Sequence, residues 1–256
     1  MTEQADAQAA GSLEIERKYE AAVGLTLPPA EAFLTVGLTA DPPAVQHLSA
    51  RYFDTAAADL ARLGFAVRVR RGGKDSGWHL KQRTEQGNRE LLWPLDPATE
   101  GMPGPDAMPE ALRAEIETRV GVPASRLVPI AELETERTTV VLRDTAGREL
   151  IELADDRVRA VAGESRVRRA WREWEAEALP DAHAEGGAAG AAEVLDRVEP
   201  VLIAAGATPS LSFAKIARAT GQLVAVARSK GAGEDRIAAL ERLDASDQEA
   251  ARTLEA

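Results

Sequence analysis

Glu14-Ile15-Glu16-Arg17-Lys18-Tyr19-Glu20 is the stretch on which the fold of this chain turns. Successive side chains of an extended strand point to opposite faces, so Glu14, Glu16, Lys18 and Glu20 share one face and Ile15 and Tyr19 the other. A charged row backed by an apolar one is either a solvated edge or the wall of a wet cavity. Residues 166–178 repeat the arrangement, with Glu173, Glu175 and Glu177 opposite Trp174 and Ala176. One such strand alone reads as a solvated face. Two are different, because carboxylates at i and i+2 on neighbouring strands can supply several oxygens to one hard cation such as Mg²⁺ or Mn²⁺.

Between these stretches the chain reads as strands joined by turns. A short helix with proline in its first turn spans 29–36. Residues 45–55 look extended and lead into an Ala/Leu helix over 56–63, which Gly64 stops. Residues 65–71 alternate strictly, Phe65, Val67 and Val69 against Arg68 and Arg70. After a hairpin loop over 72–77, residues 78–83 return with His79, Lys81 and Arg83 on one face and Trp78, Leu80 and Gln82 on the other. A turn at 85–88 leads into 89–95, a Pro- and Gly-rich loop fills 96–109, and 109–120 reads as a helix. Residues 131–143 are extended, with Arg137, Thr139 and Val141 on one face; 148–160 return with Glu152 opposite Ile151 and Leu153. A flexible link over 183–190 precedes an amphipathic helix over 191–205. From Gly221 the chain is polar and Ala-rich, with Ile237, Leu240 and Leu243 at helical spacing. The expected organisation is a disordered N-terminus over 1–12, one domain over 13–220, and a helical or disordered tail over 221–256 with no fold of its own.

Composition narrows the partners. At 256 residues the chain can bury a sizeable core. With 31 Lys and Arg against 42 Asp and Glu the net charge is −11, which steers it towards neither nucleic acid nor an anionic membrane. Any anionic ligand must therefore be held by local cations. The absence of cysteine excludes disulfides, thiolate nucleophiles and Cys-based zinc sites. Residues 1–12 do not read as a secretory signal, and no run approaches the roughly 20 apolar residues of a spanning helix. The expected location is cytoplasmic.

About eight strands are expected, several of which pair an apolar face with a charged one, and unpaired charges in a waterless interior would cost several kcal/mol each. The charged faces therefore look outward or surround water and a ligand, for which an eight-stranded closed barrel has room. Arg68, Arg70, Lys81, Arg83 and Arg137 form either a solubilising surface or a cage of guanidinium and ammonium groups suited to many phosphate oxygens. His47 and His79 have no second histidine at ligand spacing and read as structural or peripheral. Trp78, Trp93, Trp171 and Trp174 read as core or barrel wall, and Gly72-Gly73 as a turn.

Glu14-x-Glu16-x-Lys18 resembles the N-terminal signature of the CYTH superfamily, the triphosphate tunnel metalloenzymes, which includes inorganic triphosphatases, thiamine triphosphatases and class IV adenylyl cyclases. The likeness continues in order through Tyr52-Phe53-Asp54-Thr55, Phe65-Ala66-Val67-Arg68-Val69-Arg70-Arg71, Leu80-Lys81-Gln82-Arg83, Arg89-Glu90, Glu134-Thr135-Glu136-Arg137, Glu152-Leu153-Ala154-Asp155-Asp156, Glu173-Trp174-Glu175-Ala176-Glu177 and Ser212-Phe213-Ala214-Lys215-Ile216-Ala217-Arg218. The resemblance implies an α+β fold, an eight-stranded antiparallel β-barrel or tunnel with short helices packed outside. It implies a divalent cation, Mg²⁺ or Mn²⁺, on Glu14, Glu16, Glu173 and Glu175 with Glu177 and Glu152. It places Lys18, Arg68, Arg70, Lys81, Arg83, Arg137 and Lys215 on the phosphates, and Glu90 on the tunnel wall. Ala214 stands where the family commonly has serine before the lysine.

The implied activity is metal-dependent hydrolysis of inorganic triphosphate, with nucleoside triphosphates as further substrates and Glu16, Lys18, Arg68, Lys81 and Glu175 as the catalytic set. The alternatives are a class IV-like adenylyl cyclase and a non-catalytic module that binds triphosphate or polyphosphate. Implied partners are the triphosphate substrate and, as a candidate, a second copy of the chain. The His-rich helical CHAD domain that often accompanies the family is expected to be absent from this chain or cut away from it, because only a short tail without histidine follows Gly221.

Overall fold

The opening charged stretch folds as two strands, β1 (Ala10–Glu14) and β2 (Glu16–Glu20), with Ile15 between them. The computed structural model describes residues 10–96, 98–184 and 186–254. The expected disorder over 1–12 thus falls on 1–9, outside the described residues, and is corrected at 10–12, which β1 pairs into the sheet. In chain order follow α1 (Ala30–Leu34), β3 (Thr39–Ala40), β4 (Ala44–Asp54), α2 (Asp59–Arg62), β5 (Phe65–Arg71), β6 (Gly77–Thr84), β7 (Gly87–Pro94) and α3 (Glu110–Val120). Then come β8 (Val128–Arg143), β9 (Glu149–Ala162), β10 (Arg168–Ala178), α4 (Pro180–His183), α5 (Gly187–Ala204), β11 (Thr208–Pro209), α6 (Lys215–Ala219), α7 (Leu223–Ser229) and α8 (Glu234–Thr253).

Ile15 is where the sheet closes. β1 pairs with β7 and β2 with β10, while an antiparallel ladder runs β7-β6-β5-β4-β8-β9-β10 between them. Because β1 and β2 are one bent segment, the two edges of the ladder meet in a single piece of chain and no free edge remains in the ring. The sequence predicts about eight strands, and the sheet formed by the described residues has eleven. The difference is local: the bend splits the first strand in two, and the two-residue β3 and β11 add to β8 and β2 at the rim. The closed ring itself holds eight.

The ring has its apolar side outside. Tyr19, Leu153, Trp174 and Ala176 point outward against Leu195, Val198 and Leu202 of α5, and Val67, Val69, Trp78, Leu80 and Trp93 do so against Leu112 and Ile116 of α3. All four tryptophans are buried, as expected. Inside, one end is filled by apolar side chains: Tyr52, Ala131, Leu133, Val158, Ala160 and Trp171 pack with Ala219 of α6. Charge occupies the rest of the interior.

Two expectations change downstream of β10. The link over 183–190 is mostly helical, since α4 ends at His183 and α5 begins at Gly187; alanine propensity and the fully buried Ala191 extend the helix past its glycines. The tail is not without a fold. Ile237 and Leu240 of α8 pack on Ala217, Leu223 and Ala227, and Asp244 of the same helix accepts a 2.6 Å bond from Arg169 Nε on β10. No helix among the described residues is long and apolar enough to cross a membrane.

The closure also sets a prediction. Gly87 opens β7 with φ +142°, and a Cβ there would lie 2.3 Å from the carbonyl oxygen of Glu14. Both the backbone conformation and the approach of the two strands require glycine. Gly87→Ala is expected to cost about 1–3 kcal/mol, read as a lower urea midpoint at unchanged slope. An unchanged midpoint would show that the seam tolerates a side chain.

Candidate functional site

The ladder registers put charged residues of one parity on the inner face. Lys18 stands opposite Glu175, Glu16 opposite Glu177 and Glu20 opposite Glu173. Asp156 of β9 faces Glu173 on one side and Arg137 of β8 on the other, and Glu152 faces Glu177. Arg68 lies between Tyr52 and His79, and Lys81 stands beside Glu90. β10 and β9 are four places around the ring from β5 and β6. The carboxylates of one wall therefore confront Arg68, Arg70 and Lys81 of the other, and the alternation read from sequence makes both walls line one chamber.

The densest part is a carboxylate triad. Oxygens of Asp156, Glu173 and Glu175, all buried, lie within 4.8 Å of one another. Lys215 Nζ reaches into it, 2.6 Å from Asp156, 2.8 Å from Glu173 and 2.9 Å from Glu175. Arg137 binds Asp156 and Glu175 at 2.6 and 2.7 Å, and Lys18 contacts Glu175 and, at 2.9 Å, Glu16. Burial alone would raise the Glu175 carboxyl, but Lys18, Lys215 and Arg137 outweigh it and hold it well below the usual carboxylate range. Asp156 is lowered in the same way, its burial overcome by Lys215 and Arg137. Glu173 is fully buried, yet neither of its oxygens receives an aligned hydrogen bond. A buried carboxylate left short of donors beside two others is a donor set suited to a hard divalent cation.

The opposite wall has its own network. Lys81 Nζ binds Glu14 at 2.6 Å and approaches Glu90 at 3.4 Å, while His79 Nδ1 lies 2.8 Å from Glu90. Burial pushes the Glu14 carboxyl up to about 8 against the pull of Lys81. Arg68 donates to the Tyr52 hydroxyl at 3.2 Å. Asp75, on the hairpin between β5 and β6, meets Arg70; even so, burial beside Arg68 and Arg137 pulls that guanidinium down to about 9. Its charge is under-compensated, the condition an incoming polyanion relieves.

The expected site residues divide accordingly. Glu173 and Glu175 lie together in the triad, with Lys18, Arg137 and Lys215 around them. Glu14, Glu16 and Glu152 share the inner face but bind Lys81, Lys18 and, at 3.0 Å, Lys74 respectively. Burial, with Glu16 and Glu175 nearby, raises the Glu177 carboxyl. Arg68, Arg70 and Lys81 form the basic wall. Arg83 stands apart, exposed, with its guanidinium 5.2 Å from the ring centre of Phe213. It borders a cleft of about 370 Å³ that Glu14, Glu16, Lys18, Asn88 and Ser212 also line. His47 is exposed, as a peripheral residue should be, and His79 is completely buried. Asp156 carries no assigned role in the sequence reading, although the parity of Glu152 places it on the same inner face.

A closed antiparallel barrel with an acidic and a basic wall around one chamber defines a charged-tunnel fold. The chain belongs to the CYTH family: the CYTH domain model matches residues 12–194. Two Mycobacterium tuberculosis proteins of unassigned function, MT2285 and Rv2226, are each 32% identical over 221 residues, covering 82% of this chain. The chain spans only 40% of the length of these relatives. Among solved structures, the bh2851 protein of Bacillus halodurans, provisionally named an adenylate cyclase, superposes with a TM-score of 0.51 at 18% identity, covering 81% of this chain and 97% of that one. HpAC1 from Hippeastrum, provisionally named an adenylyl cyclase and described as having a dominant triphosphatase activity, gives a TM-score of 0.42 at 18% identity over 88% of this chain and 99% of its own.

Proposed function

We propose that the chamber takes inorganic triphosphate with a divalent cation and hydrolyses a terminal phosphoanhydride bond. The observation that carries this reading is Glu173, a wholly buried carboxylate without an aligned donor, clustered with Asp156 and Glu175 opposite a wall of arginine and lysine. Asp156, Glu173 and Glu175 would hold the cation, which when bound supplies charge neutralisation of the non-bridging phosphate oxygens. Arg68, Arg70, Lys81 and Arg137 grip those oxygens and fix the chain of phosphates in line. Lys215 turns from the carboxylates to a phosphate oxygen once their charge is otherwise balanced. A carboxylate of the acidic wall orients the attacking water and takes its proton, while the water oxygen bonds to the terminal phosphorus as the bond to the bridging oxygen breaks. The leaving diphosphate charge falls on the basic wall, so catalysis is positioning and preorganised charge.

Purified chain is expected to release orthophosphate from triphosphate in Mg²⁺ or Mn²⁺ and to stop on chelation. The measurement is orthophosphate from triphosphate, ATP, thiamine triphosphate and polyphosphate, with cyclic AMP from ATP as the competing product. Cyclic AMP without orthophosphate would replace this reading with cyclisation; tight triphosphate binding without either product would make the chain a binding module.

A further inference from the structure

Arg218, on α6, is nearly inaccessible and sits where the acidic wall meets the C-terminal helix. Its Nε and one terminal nitrogen donate to the two carboxylate oxygens of Asp247 at 2.7 and 2.9 Å, a fork-to-fork pair. The other terminal nitrogen donates to Glu20 at 3.0 Å, and the guanidinium carbon lies 4.9 Å from the ring centre of Trp171. The distance from Arg218 to Glu173 is 3.7 Å, beyond hydrogen-bonding reach. Asp247 and Glu20 thus engage all three guanidinium nitrogens, and the guanidinium lends its charge to Glu173 without covering either oxygen.

We propose that Asp247 is a positioning residue for the cation centre: by holding Arg218 back, it leaves the Glu173 carboxylate open to the cation. This rests on the reading that Asp156, Glu173 and Glu175 hold a divalent cation. Without the Asp247 charge, the guanidinium is drawn to the Glu173 oxygen 3.7 Å away, the one Lys215 does not contact, and competes with the cation for it. The residue lies on α8, in the tail that the sequence leaves without a fold, so α8 is part of the site's construction.

The experiment is calorimetric titration of the full chain with Mn²⁺ alone, without substrate, beside thermal unfolding. Glu173→Gln tests the underlying site and is expected to abolish binding; native-like binding in that variant removes the cation reading itself. With that control in place, Asp247→Asn is expected to weaken Mn²⁺ about tenfold, within the range for partners of metal ligands. Asp244→Asn removes a different anchor of α8, the bond from Arg169, without touching Arg218. It is expected to lower thermal stability while leaving Mn²⁺ affinity native. Affinity within twofold of native in Asp247→Asn overturns the proposal, as does equal weakening in Asp244→Asn, which would reduce the effect to helix docking. If Asp247→Asn does not fold, Arg218→Lys carries the same expectation, because an ammonium cannot span Asp247 and Glu20 in one plane. Native affinity there would equally overturn it.

Discussion

Glu175→Gln is expected to leave a folded chain that releases orthophosphate from triphosphate about a thousandfold more slowly than the native protein. Glu175 is the carboxylate on which Lys18, Arg137 and Lys215 all converge. Replacing it removes one of the triad's charges and lets three cations drift from the positions that shape the chamber. Losing a single preorganised electrostatic contact typically costs 10²–10³ in turnover, and this change disturbs several together. The loss belongs in kcat, because the basic wall still binds the anion and faces one fewer negative charge. Glu16→Gln provides the contrast. Glu16 binds Lys18 at 2.9 Å and accepts from Asn88 at 3.1 Å but lies outside the triad, so its loss should be the smaller. Steady-state phosphate release with near-ultraviolet circular dichroism as the folding control measures both. Turnover in Glu175→Gln within tenfold of native would remove the triad from catalysis.

Much of this arrangement was legible because strands alternate. Once Glu14, Glu16 and Lys18 share a face with Ile15 turned away, the same parity in Arg68/Arg70, His79/Lys81 and Glu173/Glu175 puts charge on one side of several strands. The turns at 72–77 and 85–88 then fix neighbours, and strict alternation across 65–71 reproduces β5 residue for residue. What could not be read depends on register between distant strands. Asp156 is buried because Arg137 and Glu173 stand beside it, and neither pairing is implied by any local pattern. Asp247 is harder still. On a polar, Ala-rich helix an aspartate reads as a solvated residue, and only its pairing with Arg218 makes it a buried one. The bend at Ile15 is likewise invisible locally, since it arises from the need to join β7 and β10 through one segment. Closed rings hide their seams for this reason.

With apolar packing confined to one end of the interior, most of the stability must come from outside the ring, and Trp174→Ala tests this directly. Trp174 sits between the two triad glutamates in sequence but projects to the opposite face, 1% exposed, in the cluster formed with Tyr19, Leu153 and α5. Truncating a buried tryptophan removes its transfer free energy and leaves a cavity that neighbours fill only in part, at about 3–5 kcal/mol. Its indole nitrogen has no hydrogen-bond partner, so no polar group is orphaned by the change and the cost is one of packing. Against a typical total of 5–15 kcal/mol this is a large fraction, and a fall in Tm of about 10 °C or more is expected. Glu175→Gln, one residue along, should lose activity with a far smaller shift. The pair separates the two faces of β10: one carries the chemistry and the other holds the barrel together. A Trp174→Ala chain as stable as native would mean that the outer shell is not the core, and that the salt-bridged interior supports the fold instead.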